Sequence, residues 1–533
     1  MQINHIPFNK IPQLSTRDIA YAMKDEALRP FYKYDVNIES FAQIISDKQK
    51  DNTDRTLLVK ELKAQYEQLA INPLVAKQIE SLSQPTTFTI ITAHQPSLFT
   101  GPLYFVIKIL STINLTKQLN KAYTQHHFVP IFLTGGEDHD FEEANHLHLF
   151  GKTIEWQNEE SGSVGAMSTK SLDQPLAELE EILGQSDAAK AIFEELKKSY
   201  TNHDRYSMAT IDYVHTLFGQ YGLVVIDTST RAFKESFKPI MREELLEQPS
   251  QELVEQTQKA LTDAGFGAQA HARAINLFYL RDGLRERIVF ENGQYNVLNT
   301  DYSFTTVDIL KELDDHPDRF SPNVVMRPLL QEKVLPNLAY IGGGGELAYW
   351  MERQSQFEHF GINFPMLIRR NSLLWIDKSH AKRMAKLGLE AEQLFSKTAA
   401  LLKDFVEKNT KNDLSIATEK EQLKTLFESI AAKAKKIDPT LEKAIMADYA
   451  RQAKSVDKLE SRLMRAEKQK HDTALNQIRS LKEKLYPANG LQERYDNFLP
   501  FYMRYGRHFF EVLIEELNPL KEGFVVILDE DNQ

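Results

Sequence analysis

The 533-residue sequence contains no cysteine. That absence excludes disulfides, thiolate metal centres and a cysteine nucleophile. It also means that a thiol-bearing substrate could not be trapped as a mixed disulfide. Long apolar runs are missing too. Nothing approaches the ~20 residues that a membrane span requires, and mean hydropathy is −0.42. The opening MQINHIPFNKIPQL has neither a basic start nor a continuous apolar core. It does not read as a secretory signal, and a cytoplasmic location with no membrane partner is expected. Positive charge is in deficit. A formal net charge of −11 argues against a broad nucleic-acid surface, though not against a local basic pocket. What is present, with 42% hydrophobic residues, is globular in type and too long for one core, so two or three lobes are expected.

The chain is organised around residues 87 to 140. Phe88 to Thr92 is a short, β-branched apolar run that suits a buried parallel strand. It ends at Ala93-His94-Gln95-Pro96, where proline forbids further pairing. Pro102 suits the first position of a helix, which Leu103, Val106, Ile107, Leu110, Ile113 and Leu119 continue at helical spacing. Phe128 to Leu133 is the next strand, and it delivers Gly135-Gly136-Glu137-Asp138-His139-Asp140. A strand–helix–strand crossover places both polar turns on one edge of a parallel sheet, the edge where open α/β sheets bind ligands.

Residues 1–86 read as a helical lead-in packed on the core, and 87–378 as a Rossmann-like α/β core with insertions. Within it, Gly222 to Asp227 and Phe364 to Ile368 are further strands. Phe278 to Tyr295 is a hairpin turning at Glu291-Asn292-Gly293. Residues 379–487 are rich in Lys, Glu, Ala and Leu. There Asp438-Pro439 is a strong helix start, and apolar residues then recur at steps of three and four to Leu485. Such a helix would be about 70 Å long at 1.5 Å per residue. It needs a partner along its seam, either another segment of the chain (390–407 or 419–434) or a second copy in a homodimer. Residues 488–533 return to the core with a last strand ending at Leu528.

Several residues could carry chemistry. His94 is a general acid/base near neutral pH or a phosphate donor, with Gln95 beside it as a substrate contact. Thr100 and Gly101 open a helix whose free N–H groups suit an anion, and Lys108 lies further along. Glu137, Asp138, His139 and Asp140 suit a base, amine recognition or Mg²⁺, with Asp138 and His139 the first choices for catalysis. No zinc spacing accompanies them, and no resident metal is expected. Arg327 is a natural bidentate partner for a carboxylate or phosphate, with Ser321 and Asn323 nearby. Gly343, Gly344 and Gly345 precede a helix and allow close backbone approach to a nucleotide, although no dinucleotide or P-loop pattern is present. Structural alternatives stand beside these: turn bonds for His94, solvation for Lys108, a core salt bridge for Arg327, and tight packing for the glycines.

The blocks HQPSLFTGPLYFVIKILSTINL, GGEDHDFEEANH and SPNVVMRPLLQEKVLPNLAYIGGGGELAYW resemble the BshC family, the cysteine ligase of bacillithiol biosynthesis. The resemblance runs nearly end to end. It implies a core related to class I synthetases and nucleotidyltransferases, a dimerising coiled coil, and a carbon–nitrogen ligase joining cysteine to glucosaminyl-malate. The implied mechanism is a cysteinyl-adenylate made from ATP and attacked by the glucosamine amine. In that relationship HQP occupies the place of the paired histidines that flank ATP phosphates, but only one histidine is present. A nucleotidyltransferase with another acceptor, or a non-catalytic coiled-coil scaffold with a nucleotide-binding core, are the alternatives.

Overall fold

The computed structural model describes residues 1–410, 412 and 414–529. Residues 411 and 413 of the expected coiled-coil segment, and the last four of the C-terminal segment, lie outside the described residues. The strands are β1 (Gln2–Ile6), β2 (Thr87–His94), β3 (His127–Thr134), β4 (His146–Leu149), β5 (Lys152–Glu155), β6 (Val224–Asp227), β7 (Leu277–Arg281), β8 (Leu284–Glu291), β9 (Gln294–Val297), β10 (Ser303–Phe304), β11 (Phe320–Pro322), β12 (Asn337–Gly342), β13 (Met366–Arg369), β14 (Leu373–Ile376) and β15 (Phe524–Leu528). Two compact units emerge. One comprises Ile3–Leu374 and Gln492–Val526, and the other is built mainly from Trp375–Leu491.

The heart of the larger unit is a five-stranded sheet in the order β13-β12-β2-β3-β6, parallel at every pairing. Seven of the eight residues of β2 are buried. Such a strand has covered faces on both sides, which is why it reads as a continuous apolar run. Phe88 and Ile90 join one core with Phe128, Ile341 and Ile368. Ile91 and Ala93 face the opposite way, into a core with Leu133, Ile226 and Tyr340. The crossover helix between β2 and β3 runs Tyr104–Ala122, with Leu103 as its cap, so Pro102 lies just ahead of the helix rather than in it. Its buried hydroxyls on Ser111, Thr112 and Thr116 are satisfied by carbonyls one turn earlier.

The strand order creates a switch point. From β2 the chain steps to β3 and β6 on one side, and later to β12 and β13 on the other. Ligands favour the crevice outside the strand carboxyl ends at such a point, here between His94 and Gly342. An antiparallel sheet, β10-β9-β8-β7-β11, is inserted ahead of β12. Its β8–β9 hairpin turns on Asn292 and Gly293, both with positive φ (53° and 79°), as a two-residue turn between twisted strands demands. The amino-terminal stretch is not purely helical. It opens with β1, which lies in a three-stranded sheet of order β1-β15-β14.

In the smaller unit the expected continuous helix from Pro439 to Leu485 is divided: Pro439–Lys470 and Asp472–Leu485 meet at His471. Asp438 caps the first, its side chain accepting from Thr440 N at 2.8 Å. The helix Ala417–Lys435 runs antiparallel beside it. Lys420 pairs with Asp457 at 2.8 Å, Lys435 with Glu442 at 2.9 Å, and Phe427 meets Tyr449. The short second helix buries Leu475, Ile478, Leu481 and Leu485. Among the described residues no helix is long and apolar enough to cross a membrane.

Candidate active site

A cavity of 670 Å³ opens at the switch point, within the range of small-molecule sites. Its walls carry both signs of charge: Arg285 stands with the acidic residues that follow β3, and Glu346, after β12, stands among arginines. On the β3–β6 side stand Asp138, Glu143 and Asp227. On the β12–β13 side, or converging on it from elsewhere in the chain, stand Arg327, Arg370 and Arg494. His94, Gln95 and Tyr104 lie between.

At the end of β2, His94 Nδ1 is 2.8 Å from the Gln95 carbonyl oxygen and Nε2 is 3.1 Å from the Tyr104 hydroxyl. Burial and the nearby Lys108 ammonium push its pKa down to about 4, so the ring is neutral at physiological pH. Lys108 itself is fully buried. Its ammonium bonds both carboxylate oxygens of Glu346 at 2.8 Å and the Ala93 carbonyl at 2.5 Å. Burial raises the Glu346 pKa, but Lys108 outweighs it and holds the carboxyl at about 2. Glu346 also accepts from the Tyr340 hydroxyl at 2.6 Å and from Gly343 N at 2.8 Å. Lys108 is therefore an internal strut between the crossover helix and the glycine-rich turn, not a nucleotide ligand at the surface.

The anion site expected at Thr100 and Gly101 is occupied by the protein. Thr100 N donates to the Ser97 carbonyl at 3.1 Å, Gly101 N to the Leu98 carbonyl at 2.8 Å and Leu103 N to the Asp496 carbonyl at 2.7 Å. Neither Thr100 nor Gly101 lines the cavity. Among the glycines, Gly343, Gly344 and Gly345 do, for different reasons. A Cβ on Gly344 would stand 2.2 Å from Asp18 Cγ, so packing requires glycine there, whereas the space beside Gly345 is open.

The acidic turn after β3 divides its tasks. Glu137 is committed to the buried Lys234 ammonium at 2.7 Å and the Ser321 hydroxyl at 2.9 Å. Asp138 faces the cavity while its carboxylate accepts from His139 N at 2.7 Å and Asp140 N at 3.2 Å. His139 and Asp140 fall outside the lining. His139 Nδ1 meets Arg285 at 2.5 Å, and Asp140 caps the short helix Phe141–Ala144. Ser321 lies behind the wall, whereas Asn323 lines the cavity, its side-chain oxygen accepting from Val325 N at 2.8 Å. Arg327 also lines the cavity, held by the Tyr349 hydroxyl at 3.1 Å and Gln331 at 3.2 Å.

Sequence reasoning missed Tyr104, Arg285, Glu346, Tyr349, Arg370 and Arg494 as parts of this site, and gave Asp227 no role beyond its strand end. Burial raises the Asp227 pKa. The strand-final Asp227 and the Arg369-Arg370 pair closing β13 were signals of the same kind as Asp138. Arg494 lies in the family-like block Leu491-Gln492-Glu493-Arg494, but nothing local places a residue so far along the chain at this cavity.

A family model described as "Bacillithiol biosynthesis BshC, N-terminal Rossmann-like domain" matches residues 1–371. A second, for the BshC C-terminal coiled-coil domain, matches residues 373–528. The chain belongs to the BshC family. Relatives named "Putative cysteine ligase BshC" include those of Flavobacterium psychrophilum (40% identical, 99% of each chain covered), Christiangramia forsetii (40%, 99% of each) and Cytophaga hutchinsonii (34%, 95% of each). The BshC Rossmann-like model ends at residue 371, one residue past Arg370, so the parallel sheet and every cavity residue except Arg494 fall inside it.

Proposed function

We propose that this protein is the cysteine ligase of bacillithiol biosynthesis. It forms an amide between the cysteine carboxyl group and the amine of glucosaminyl-malate, with ATP and Mg²⁺ activating the cysteine. The observation that supports this most is the cavity at the switch point, lined by both carboxylates and arginines. Carboxylates Asp138, Glu143 and Asp227 suit the amino groups of cysteine and the sugar. Arg327, Arg370 and Arg494 suit malate carboxylates and phosphates, and the open space beside Gly345 leaves room for close backbone approach. The amine nitrogen bonds to the cysteine carbonyl carbon, the activating group leaves with its electron pair, and the amine loses a proton.

The reading includes cytoplasmic action and a homodimer paired through the helical hairpin. Support for the dimer comes from Leu426, Ile430, Leu441, Leu459 and Leu463, all exposed along that hairpin. The direct test supplies purified protein with cysteine, Mg-ATP and glucosaminyl-malate and follows the ligated thiol by mass spectrometry. Absence of product with every nucleotide tried would overturn the reading.

A further inference from the structure

The hydrogen-bond polarity around His94 assigns a role to Tyr104, and the inference rests on the ligase reading above. The Gln95 carbonyl can only accept, so His94 Nδ1, 2.8 Å away, carries the ring hydrogen. The Ser97 hydroxyl at 3.5 Å is too distant to compete. With the ring neutral, Nε2 holds a lone pair, and the Tyr104 hydroxyl at 3.1 Å must donate into it. The Tyr104 proton therefore points toward His94, and toward any other partner in the cavity that Tyr104 lines its phenol oxygen offers lone pairs only. The Tyr104 ring also has a cationic neighbour. The Arg370 guanidinium sits 5.1 Å from its centroid, and Glu493 fixes that guanidinium at 2.8 Å.

We propose that Tyr104 is a catalytic residue of the ligation step: its oxygen takes the proton that the attacking amine loses while its own hydroxyl proton passes to His94 Nε2. The new C–N bond forms as the bond to the activating group breaks with its electron pair. Tyr104 ends the step neutral, and His94 ends it as imidazolium. Burial raises the phenol pKa, so Tyr104 is no base by itself and needs His94 behind it. His94 holds the proton weakly, so the relay resets readily.

The test separates activation from amine attack. Hydroxylamine reacts as a free base with an activated acyl group and needs no relay. With Tyr104→Phe, which keeps the ring and its contact with Arg370, cysteine hydroxamate should form at a rate within about twofold of wild type. Ligation to glucosaminyl-malate should fall about 100-fold, the lower range of general acid–base contributions, with KM for cysteine and ATP unchanged. His94→Gln, whose amide oxygen accepts the Tyr104 proton but cannot carry it on, should show the same split. Ligation by Tyr104→Phe at the wild-type rate overturns the relay alone, and equal loss of both reactions overturns it by placing Tyr104 in activation or in the fold. A wild-type protein that makes neither product sinks the ligase reading and the relay with it.

Discussion

Individual buried charges set much of the energetics here, and they fall into two kinds. Glu346 is ionised and compensated: Lys108, Tyr340 and Gly343 all donate to it. Removing one partner of such a pair strands the other and typically costs about 3–5 kcal/mol. Glu332 is the reverse case. Burial pushes its pKa from 4.5 up to about 7, against the pull of Lys48. A folded-state pKa above the unfolded one means that the native state binds the proton more tightly. The resulting stability is complete below pH 4.5 and is lost as pH rises through about 7. Glu332→Gln keeps the oxygen that accepts from Gln331 at 2.8 Å and Asn337 at 2.7 Å but cannot ionise. It should match wild type in denaturant unfolding near pH 4.5. At pH 8 it should be more stable by about 1–3 kcal/mol, and an equal or lower stability there would contradict the assignment.

At the scale of elements, the acidic turn after β3 is shaped by a loop far along the chain. Gly165 N donates to the Gly136 carbonyl at 2.8 Å, and Val164 N to the Asp138 carbonyl at 2.7 Å. A Cβ on Gly165 would lie 2.7 Å from Gly136 O and 2.8 Å from its Cα, so any side chain pushes the turn out of place. Gly165→Ala should lower kcat/KM at least about tenfold, since small misplacements at a reacting centre are costly, while thermal unfolding shifts by no more than a few degrees. Wild-type activity would show that the turn does not position Asp138. The helical hairpin offers the second test. Leu459 and Leu463 are 50% and 46% exposed within one chain, so Leu459→Glu with Leu463→Glu should change monomer stability by no more than about 0.5 kcal/mol per site. In a dimer seam the same charges are buried and unpaired. Light scattering should therefore show a dimer converted to a folded monomer, and a persisting dimer would move the interface elsewhere.

For the whole molecule, an enzyme reading and a scaffold reading differ in how the fold responds to small molecules. A ligand at 100 times its Kd adds about 2.7 kcal/mol of stability to the state that binds it. Mg-ATP with cysteine should raise the melting temperature of wild type, and Arg327→Ala should blunt that rise. No response from any substrate would favour a non-catalytic scaffold. The response should come from the larger unit, where the cavity lies wholly within Ile3–Leu374 and Gln492–Val526.

Local chemistry was enough to settle part of this architecture from the sequence. The largely apolar runs of β2 and β3, the second carrying Pro130 at its centre, are buried on two faces, which suits a parallel sheet with covering helices. Asn292-Gly293 admits the positive φ that a tight hairpin needs, and Asp438-Pro439 starts a helix by capping and by a fixed φ. In each case the determining interaction lies within a few residues. The site was legible where strands end, at His94, Gln95 and Asp138, because alternation and turn residues mark those ends, and also at Asn323, Arg327 and the glycines 343 to 345. The rest depended on long-range placement. Lys108 and Glu346 are 238 positions apart, and no periodicity announces that they pair. Thr100 and Gly101 look like the start of an anion site, but their N–H groups turn back onto Ser97 and Leu98, and the Asp496 carbonyl takes the Leu103 N–H. The long seam breaks at His471 although its apolar spacing continues through it. The order β13-β12-β2-β3-β6 decides which side chains face one another, because a strand's own residues specify that it pairs without specifying its neighbour. That order brings carboxylates and arginines from distant segments to one cavity, and it puts Tyr104 among them beside His94.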